Sequence, residues 1–311
     1  MQKKLLVVSI VLSLLIGLLA LSGCTSDENG ETPLAPGSIL MPDHDQDAET
    51  ITIEGIELQR VSTLPSVWDV PEQPVPATIA EEVTTTNLLQ LSPLYMGELI
   101  VIMHTSVGDI AMRFFPTEAP LAVENFLNHA WNGYYNGVVF HRVIPEFMIQ
   151  TGCPLGTGTG GESIWGGQFG QELSPQLRHF RGALAMAQTA MPNSIGSQFY
   201  VVQNTQLDPG TRANYMNLLE SQDDPFPPFA DGSVANIGDI FPAASLNYFL
   251  ENGGTPHLDW HNSDNPHTVF GHVVWGMDVV DAIANTSAVS SRPVEDITMD
   301  SFSFFTVQGG V

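Results

Sequence analysis

The chain has few positive charges. Its 311 residues include 9 lysines and arginines against 34 aspartates and glutamates, which gives a formal net charge of −25 at pH 7. A phosphate backbone or an anionic lipid surface repels so acidic a protein. The composition therefore argues against nucleic acid and anionic lipid as ligands. An acidic surface suits a salty or otherwise demanding exterior, and solubility alone explains it equally well.

Cysteine is also scarce, since Cys24 and Cys153 are the only two in the sequence. Two cysteines do not make the disulfide framework that holds small secreted domains together. If Cys24 is modified, Cys153 has no partner within the chain. We expect Cys153 to be a small packing residue, with a redox role as the alternative.

Both lysines, Lys3 and Lys4, stand at the N-terminus, and an apolar stretch over residues 5–20 follows them. This is the pattern of a signal that directs a chain out of the cytoplasm. Leu21-Ser22-Gly23-Cys24 then resembles the lipobox of prokaryotic lipoproteins, whose cysteine is lipidated, for example with palmitate. We expect residues 1–23 to be a lipoprotein signal peptide and Cys24 to be the lipidation site. The protein would then lie outside the cytoplasmic membrane and be anchored to it. An ordinary signal peptide or an uncleaved anchor is the alternative, because the apolar run is close to spanning length.

The rest of the sequence divides by composition. Residues 24–50 are rich in Asp, Glu, Pro, Gly and Thr, which predicts an acidic flexible tether. Residues 51–96 contain short apolar patches interrupted by prolines, which indicates an extension partly packed against a main domain. That main domain spans residues 97–311.

Hydrophobic periodicity gives a coarse fold. Ile110, Met112 and Phe114 alternate with other residues, which predicts a half-buried strand of a hairpin. Residues 120–132 and 277–284 carry apolar residues at helical spacing, so two helices are predicted there. Four more segments are predicted as strands: residues 138–144, 182–188, 198–203 and 269–274. The pattern alone indicates a mostly β fold with two helices.

The most informative segment is Phe140–Gln150, with the sequence FHRVIPEFMIQ. Arg142 is its one permanently charged cation, and burying an arginine is costly unless it has a partner or a task. Phe147, Met148 and Gln150 follow at short distance. This combination suits a shallow apolar pocket with a strong hydrogen-bond donor at its edge. Such a pocket can hold a proline ring and bind the amide next to it.

Extended to FHRVIPEFMIQTG, the segment resembles the signature of the cyclophilin-type peptidyl-prolyl cis-trans isomerases. Further blocks follow in the family's order: GTGTGG at 156–161, GALAMA at 182–187, PNSIGSQFY at 192–200 and HTVFG at 267–271. Each block alone carries little weight. Their order over about residues 97–311 makes the resemblance specific.

The resemblance implies a closed antiparallel barrel of eight strands capped by two α-helices. It also implies rotamase activity, the rotation of X–Pro bonds during protein folding, without a covalent step or a cofactor. Residues 204–254 are foreign to the shortest members of the family and too loop-like in composition for another domain. They precede Thr255–Asp259, which is similar to the Trp-Leu-Asp segment at the family's proline pocket. We therefore expect this insertion to overhang one end of the active-site groove.

By resemblance Arg142 is the catalytic donor to the prolyl nitrogen, and Phe147 and Gln150 complete the catalytic set. The alternative for Arg142 is a structural arginine held by a carboxylate. The resemblance assigns eight residues to substrate binding: Met148, Ala187, Gln188, Gln198, Tyr200, His257, Leu258 and His267. The alternative for His267 is a surface histidine ahead of a strand.

Three of these residues depart from the family's frequent choices. Gln188 stands in place of Asn, Tyr200 in place of Phe, and His257 in place of Trp. The Tyr200 hydroxyl must reach water or a partner. The family's Trp contacts cyclosporin more than it serves turnover, so we expect isomerase activity with weakened cyclosporin binding.

Four histidines invite a metal-site interpretation: His257, His261, His267 and His272. Their spacing follows no familiar ligand pattern, and the resemblance explains two of them without a metal. We therefore expect no metal and no cofactor.

Three functions are compatible with these residues. The first is a membrane-tethered isomerase, monomeric, whose partners are Pro-containing unfolded or newly secreted polypeptides. The second is a non-catalytic chaperone or scaffold on the cell envelope that binds proline segments. The third, an inert surface domain, is disfavoured by the intact Arg142, Phe147, Met148 and Gln150.

Overall fold

The computed structural model describes residues 47–65, 88–191, 193–227, 235–261 and 263–309. The predicted signal peptide (residues 1–23), the predicted lipidation site Cys24 and most of the predicted tether lie outside the described residues, as do residues 66–87 of the extension. Within the described ranges, no helix combines the length and the apolar character that a membrane crossing requires.

The described residues contain thirteen β-strands and five α-helices. The strands are β1 (Thr50–Ile53), β2 (Ile56–Arg60), β3 (Leu99–Thr105), β4 (Gly108–Phe114), β5 (Val138–Val139), β6 (Arg142–Ile144), β7 (Met148–Thr151), β8 (Ala183–Met186), β9 (Phe199–Val202), β10 (Val269–Trp275), β11 (Ala288–Val289), β12 (Arg292–Pro293) and β13 (Thr298–Gly309). The helices are α1 (Pro120–Trp131), α2 (Pro209–Glu220), α3 (Ile237–Ile240), α4 (Ala243–Asn252) and α5 (Met277–Ala284).

Eleven strands form one antiparallel sheet in the order β1-β2-β13-β3-β4-β10-β8-β9-β7-β6, with β5 paired to β13. The two remaining strands, β11 and β12, form a small ribbon. All seven residues of β3 are buried, which fits its place between β13 and β4. A strand covered on both faces loses the polar alternation of a half-exposed one.

The prediction of a mostly β fold is confirmed, but the strand ladder does not close into the predicted barrel of eight strands. Residues 138–144, predicted as one strand, are divided into β5 and β6. The first half pairs with β13 and the second with β7. Between β5 and β6 the chain makes isolated backbone hydrogen bonds, such as that from Phe140 N to Ile297 O at 2.9 Å. The described ladder therefore runs as an open path.

The two predicted helices are confirmed as α1 and α5, and the predicted hairpin as β3 and β4. The helices cover one face of the sheet, where Phe126 of α1 is fully buried. Its ring lies 5.0 Å from that of Phe199 and 5.4 Å from that of Phe114. Aromatic packing of this kind makes this face the main hydrophobic core.

The insertion is not loop-like, as the composition suggested, because it contains α2, α3 and α4. Asp208 caps α2 by accepting hydrogen bonds from the backbone N–H groups of Gly210 and Thr211. The insertion packs through a small core of its own that includes Tyr215 and Phe249 and rests on Phe180. Ahead of the main domain, β1 and β2 continue the sheet beyond β13.

Candidate active site

Strand register places Arg142 at the head of a row of side chains. Arg142 of β6 is opposite Gln150 of β7, which is opposite Tyr200 of β9, which is opposite Ala185 of β8. Residues that are directly opposite on antiparallel strands point to the same face of the sheet. The row therefore brings together a cation and an amide from one short segment and a phenol from a distant part of the sequence.

This row lies on the face away from the helices. Along β9, Phe199 and Val201 belong to the main core, while Tyr200 and Val202 belong to a second apolar cluster. The second cluster also contains Met148 and Ala185, with Phe147, Ala187 and Leu258 packed against it. The period of two along each strand thus separates a structural face from a pocket face.

Arg142 lies within this pocket. Its Nη1 atom is 3.2 Å from Gln150 Oε1 and 3.8 Å from Met148 Sδ. Its guanidinium carbon is 5.7 Å from the centre of the Phe147 ring. Partial burial lowers the pKa of Arg142. Arg142 forms no ion pair with a carboxylate in the described part of the chain, so the carboxylate-held alternative has no support there.

A relay of amides lies behind the arginine. Gln150 accepts from Arg142 and donates through Nε2 to Gln198 Oε1 at 3.0 Å. Gln198 Nε2 in turn donates to the carbonyl oxygens of Gly158 and Gly160, at 3.0 and 2.7 Å. The glycine-rich loop therefore fixes the orientation of both amides. Gly158 has φ 79°, and a Cβ there would lie 3.1 Å from the His141 ring.

The same loop borders a groove beside the pocket. Gln150, Gln198, Gly158 and the two predicted strand residues Ala187 and Gln188 line a cavity of about 200 Å³. Ala187 N donates to Gln198 O at 2.9 Å. The Gln188 side chain donates to Asn265 Oδ1 and Pro266 O, both at 2.9 Å, so its amide is already engaged.

Tyr200 and His267 meet at the edge of the pocket. The Tyr200 hydroxyl lies 3.0 Å from His267 Nδ1, which supplies the partner that a buried phenol requires. Burial, and then the nearby Asp259, raise the pKa of Tyr200 well above its ordinary value. Burial, and then His179, lower the pKa of His267 to about 4. Both side chains are therefore neutral at pH 7.

His257 and Leu258 lie in a short 3-10 helix, Pro256–Leu258. The His257 ring is exposed, and its centre is 5.8 Å from that of Phe147. Leu258 is half-buried against the apolar cluster. The structure thus places the predicted catalytic and substrate-binding residues around the Arg142 row and its adjoining groove, while the predicted lipidation site Cys24 lies outside the described residues.

Three neighbouring features were missed in the sequence. Asp259 Oδ1 is 2.7 Å from His179 Nδ1, in a pair that is almost fully buried. His141, next to Arg142 in sequence, has a pKa lowered to about 4 by burial and then by the Arg142 charge. Glu146 has φ 56° and accepts from Thr205 N at 3.0 Å. Of these three features, only the one at Glu146 had a signal in the sequence, because Glu146 directly precedes the pocket residue Phe147.

Two further kinds of functional group are metal-binding side chains and thiols. Across the described ranges, no group of three or more His, Cys, Asp or Glu residues is placed to hold a metal ion. Cys153 is a free, buried thiol beside the glycine-rich loop. The groups that the structure does place at the pocket are hydrogen-bond donors and acceptors beside an apolar surface.

Comparison with known proteins gives the same picture. The family model for the cyclophilin type peptidyl-prolyl cis-trans isomerase/CLD matches residues 100–224 and 227–303. A Staphylococcus saprophyticus protein whose name assigns it to the peptidyl-prolyl cis-trans isomerases is 43% identical over 218 residues, covering 70% of this chain and 97% of the relative. A similarly named protein of Staphylococcus aureus strain USA300 is 41% identical over 206 residues, covering 66% and 91%.

Among solved structures, the cyclophilin type peptidyl-prolyl cis-trans isomerase of Cryptosporidium parvum is 25% identical with a TM-score of 0.47, and the match covers 70% of this chain and 100% of that one. The family match spans most of the main domain, including the segments that bear Arg142, Gln198 and His267. The chain is thus an enzyme that belongs to the cyclophilin-type peptidyl-prolyl cis-trans isomerases.

Proposed function

We propose that this protein accelerates rotation about X–Pro bonds through a hydrogen bond from Arg142 to the prolyl nitrogen. The observation that carries the proposal is the position of the Arg142 guanidinium, between Gln150 Oε1 at 3.2 Å and the Phe147 ring at 5.7 Å. A cation held there, without a carboxylate partner among the described residues, is available to a substrate amide.

The physical reason lies in the amide bond. Resonance gives the C–N bond partial double-bond character and a rotation barrier of roughly 18–20 kcal/mol. As the bond twists, the nitrogen becomes pyramidal and its lone pair can accept a hydrogen bond. A donor that meets the twisted state but not the planar one lowers the barrier, because it binds the transition state selectively.

The surroundings of Arg142 support this role. Met148 is buried and Phe147 half-buried, so the proline ring would rest on an apolar surface while the cation faces its nitrogen. An apolar setting strengthens the hydrogen bond by lowering the local dielectric constant. The Gln150–Gln198 relay keeps the guanidinium in one orientation.

The test is turnover of an Ala-Pro peptide in a protease-coupled assay. We expect Arg142→Ala to lower kcat/KM by about 100-fold, equivalent to about 2.7 kcal/mol of transition-state stabilisation. Arg212→Ala in α2 is the matched control, since Arg212 only donates to Leu250 O at 2.8 Å within the insertion. Full activity of Arg142→Ala would refute the arginine mechanism. Peptide binding without turnover by the wild type would favour a proline-binding chaperone or scaffold instead.

We further propose that the enzyme acts outside the cytoplasmic membrane on newly secreted or unfolded polypeptides. Lys3, Lys4, the apolar residues 5–20 and the LSGC sequence ending at Cys24 support export and lipid anchoring. We expect the full chain to incorporate a radiolabelled palmitate and to fractionate with membranes. Cys24→Ala should abolish both, whereas Cys153→Ala should change neither. Labelling of Cys24→Ala at the wild-type level would contradict the anchor.

A further inference from the structure

A small cavity adjoins the proline pocket on the side of His267. We call it the His179 cavity, and its wall includes Leu177, His179, Asp259, Trp260, His267 and Val269. Leu177 and Val269 also belong to the apolar cluster of the proline pocket, and His267 bonds Tyr200. The cavity and the proline pocket therefore share the side chains of Leu177 and Val269, and His267 links them through Tyr200.

The polar groups of this cavity are incompletely paired. His179 and Asp259 are each 1% exposed, and His179 Nδ1 lies 2.7 Å from Asp259 Oδ1. Their other polar atoms, His179 Nε2 and Asp259 Oδ2, have no hydrogen-bond partner in the described structure. The Trp260 Nε1 atom is also buried and unpaired there. Buried polar atoms are normally satisfied, so three unpaired ones at a single cavity indicate a place for a bonding group.

The pair itself is firmly fixed. Asp259 Oδ1 also accepts from the His179 backbone N–H at 2.7 Å, and Thr255 N donates to His179 O at 2.8 Å. The His179 ring is nearly parallel to that of Tyr200, with 6.3 Å between their centres and 13° between their planes. A rigid pair of this kind holds its free atoms in constant positions, which a recognition site requires.

The unpaired atoms define the chemistry of the missing group. Asp259 Oδ2 needs a donor and Trp260 Nε1 needs an acceptor, while His179 Nε2 is the acceptor nitrogen of the neutral ring, because Nδ1 donates to Asp259 Oδ1. The cavity volume of about 10 Å³ matches a single water-sized group. A hydroxyl fits in size and can donate to Asp259 Oδ2 while it accepts from Trp260 Nε1. An ammonium group would leave the Trp260 N–H without an acceptor, and an amide is too large.

We propose that the His179 cavity is a second substrate subsite, which takes the hydroxyl of a serine or threonine flanking the proline. The inference rests on the proposed function, because the proline must occupy the pocket beside Arg142 for its neighbour to reach His267. The groove at Gln150 and Gln198 shares no lining residue with the His179 cavity. The hydroxyl-bearing residue would therefore stand on the His267 side of the proline, outside that groove.

The test is a serine scan in an alanine peptide with one central Ala-Pro bond. Serine replaces alanine in turn at the two positions before and the two positions after the proline, and kcat/KM is measured for each peptide. We expect one position to show at least a fivefold preference for serine over alanine. Equal values at all four positions would overturn the subsite. Failure of the alanine parent peptide itself would instead count against the proposed function.

A variant of Trp260 locates the effect. Trp260→Phe removes the N–H donor and keeps an aromatic ring, so the serine-to-alanine ratio should fall to near one. Trp131→Phe, in α1, where the ring lies 5.0 Å from that of Phe304, is the control and should retain the ratio. A full serine preference in a folded Trp260→Phe would contradict the proposal.

A nuclear magnetic resonance measurement tests binding without turnover. The protein has 5 tryptophans, and the indole N–H signal missing from Trp260→Phe identifies Trp260. Adding the preferred serine peptide should shift this signal downfield, whereas the alanine peptide should not. Should Trp260→Phe fail to fold, the signal can be assigned by backbone methods in the wild type. The same shift with both peptides would overturn the role of the hydroxyl.

Discussion

The two faces of the sheet differ in how they are covered, although the same strands build both. On one face, residues such as Ile149, Leu184 and Phe199 pack under α1 and α5 and are fully buried. On the other face, their immediate neighbours include Met148 and Tyr200 of the second apolar cluster and Gln150, which lines the groove beside it. Within the first cluster, the Tyr135 hydroxyl donates to Ser197 O.

This difference shows how a single strand serves stability and chemistry together. Phe199 has its ring edge against Phe126, while the next residue, Tyr200, offers its hydroxyl to His267. Because side chains alternate, the packing of one face fixes the position of the other. The geometry of the Arg142 site therefore depends on the packing of the core on the opposite face.

The most severe test of this comparison removes the centre of the core. Phe126→Ala deletes a fully buried ring that contacts Phe114, Tyr135, Phe199 and Phe270. We expect the free energy of unfolding to fall by about 3–5 kcal/mol, because the lost contacts leave a cavity. Denaturant unfolding measures this loss. Arg142→Ala on the pocket face should change the free energy of unfolding by no more than about 0.5 kcal/mol. If the two variants lost the same free energy of unfolding, the two faces would not differ in their contribution to stability.

Acid should act on the pocket face and also elsewhere, since His261 and His272 have pKa values lowered to about 4 and about 3, chiefly by burial. His141 and His267 have pKa values lowered to about 4 from an ordinary 6.5, in both cases chiefly by burial. Between these values the unfolded chain binds protons that the folded protein does not, so stability falls as pH falls from 6.5 towards 4. Allowing for the partial exposure of His267, we expect its protonation to lower the free energy of unfolding by on the order of 2 kcal/mol as the pH falls over this range.

Denaturant unfolding at pH 7, 5.5 and 4.5 checks this dependence. His267→Gln should flatten the curve, since it removes one of the groups that titrate differently in the two states. A wild-type curve that is level over this range, or one that the variant does not alter, would show that these histidines do not limit acid stability.

Much of the main domain could be predicted because its signals are local. The alternation of Ile110, Met112 and Phe114 identified β4, and the helical spacing within residues 277–284 identified α5 with its bounds. Strand closure was mispredicted because it depends on which partner each half of residues 138–144 takes. That choice is made by contacts distant in sequence, so no local pattern reveals it.

The insertion shows the opposite case. Helix α2 buries only Tyr215, so it lacks the apolar stripe by which helices are recognised. The sequence nevertheless contains a signal for the start of α2, because Asp208 is an N-cap residue and Pro209 follows it in the first turn. The site divides similarly: the motif located Arg142 and Gln150, whereas the pairing of His179 with Asp259 joins residues 80 positions apart and had no signal.

A smaller effect is expected from the relay behind Arg142. Gln198→Met keeps the length of the side chain and removes its bonds to Gln150 and to the carbonyl oxygens of Gly158 and Gly160. We expect kcat/KM to fall about tenfold, or about 1.4 kcal/mol, mainly through kcat, because the guanidinium loses orientation. Gln222→Met, which loses bonds to Leu218 O and Phe241 O within the insertion, is the matched control. A rise in KM alone would assign Gln198 to substrate binding instead.

The smallest effect on turnover should come from the exposed edge of the pocket face. His257 lies beside Phe147, with 5.8 Å between the ring centres, and it takes no part in the Arg142 relay. His257→Trp restores the residue frequent in the family, so kcat/KM for an Ala-Pro peptide should stay within about twofold, while cyclosporin should inhibit at least tenfold more strongly. Inhibition assays on both proteins give the two numbers. Submicromolar inhibition of the wild type would contradict the prediction, because the pocket would then bind cyclosporin without an indole at this edge.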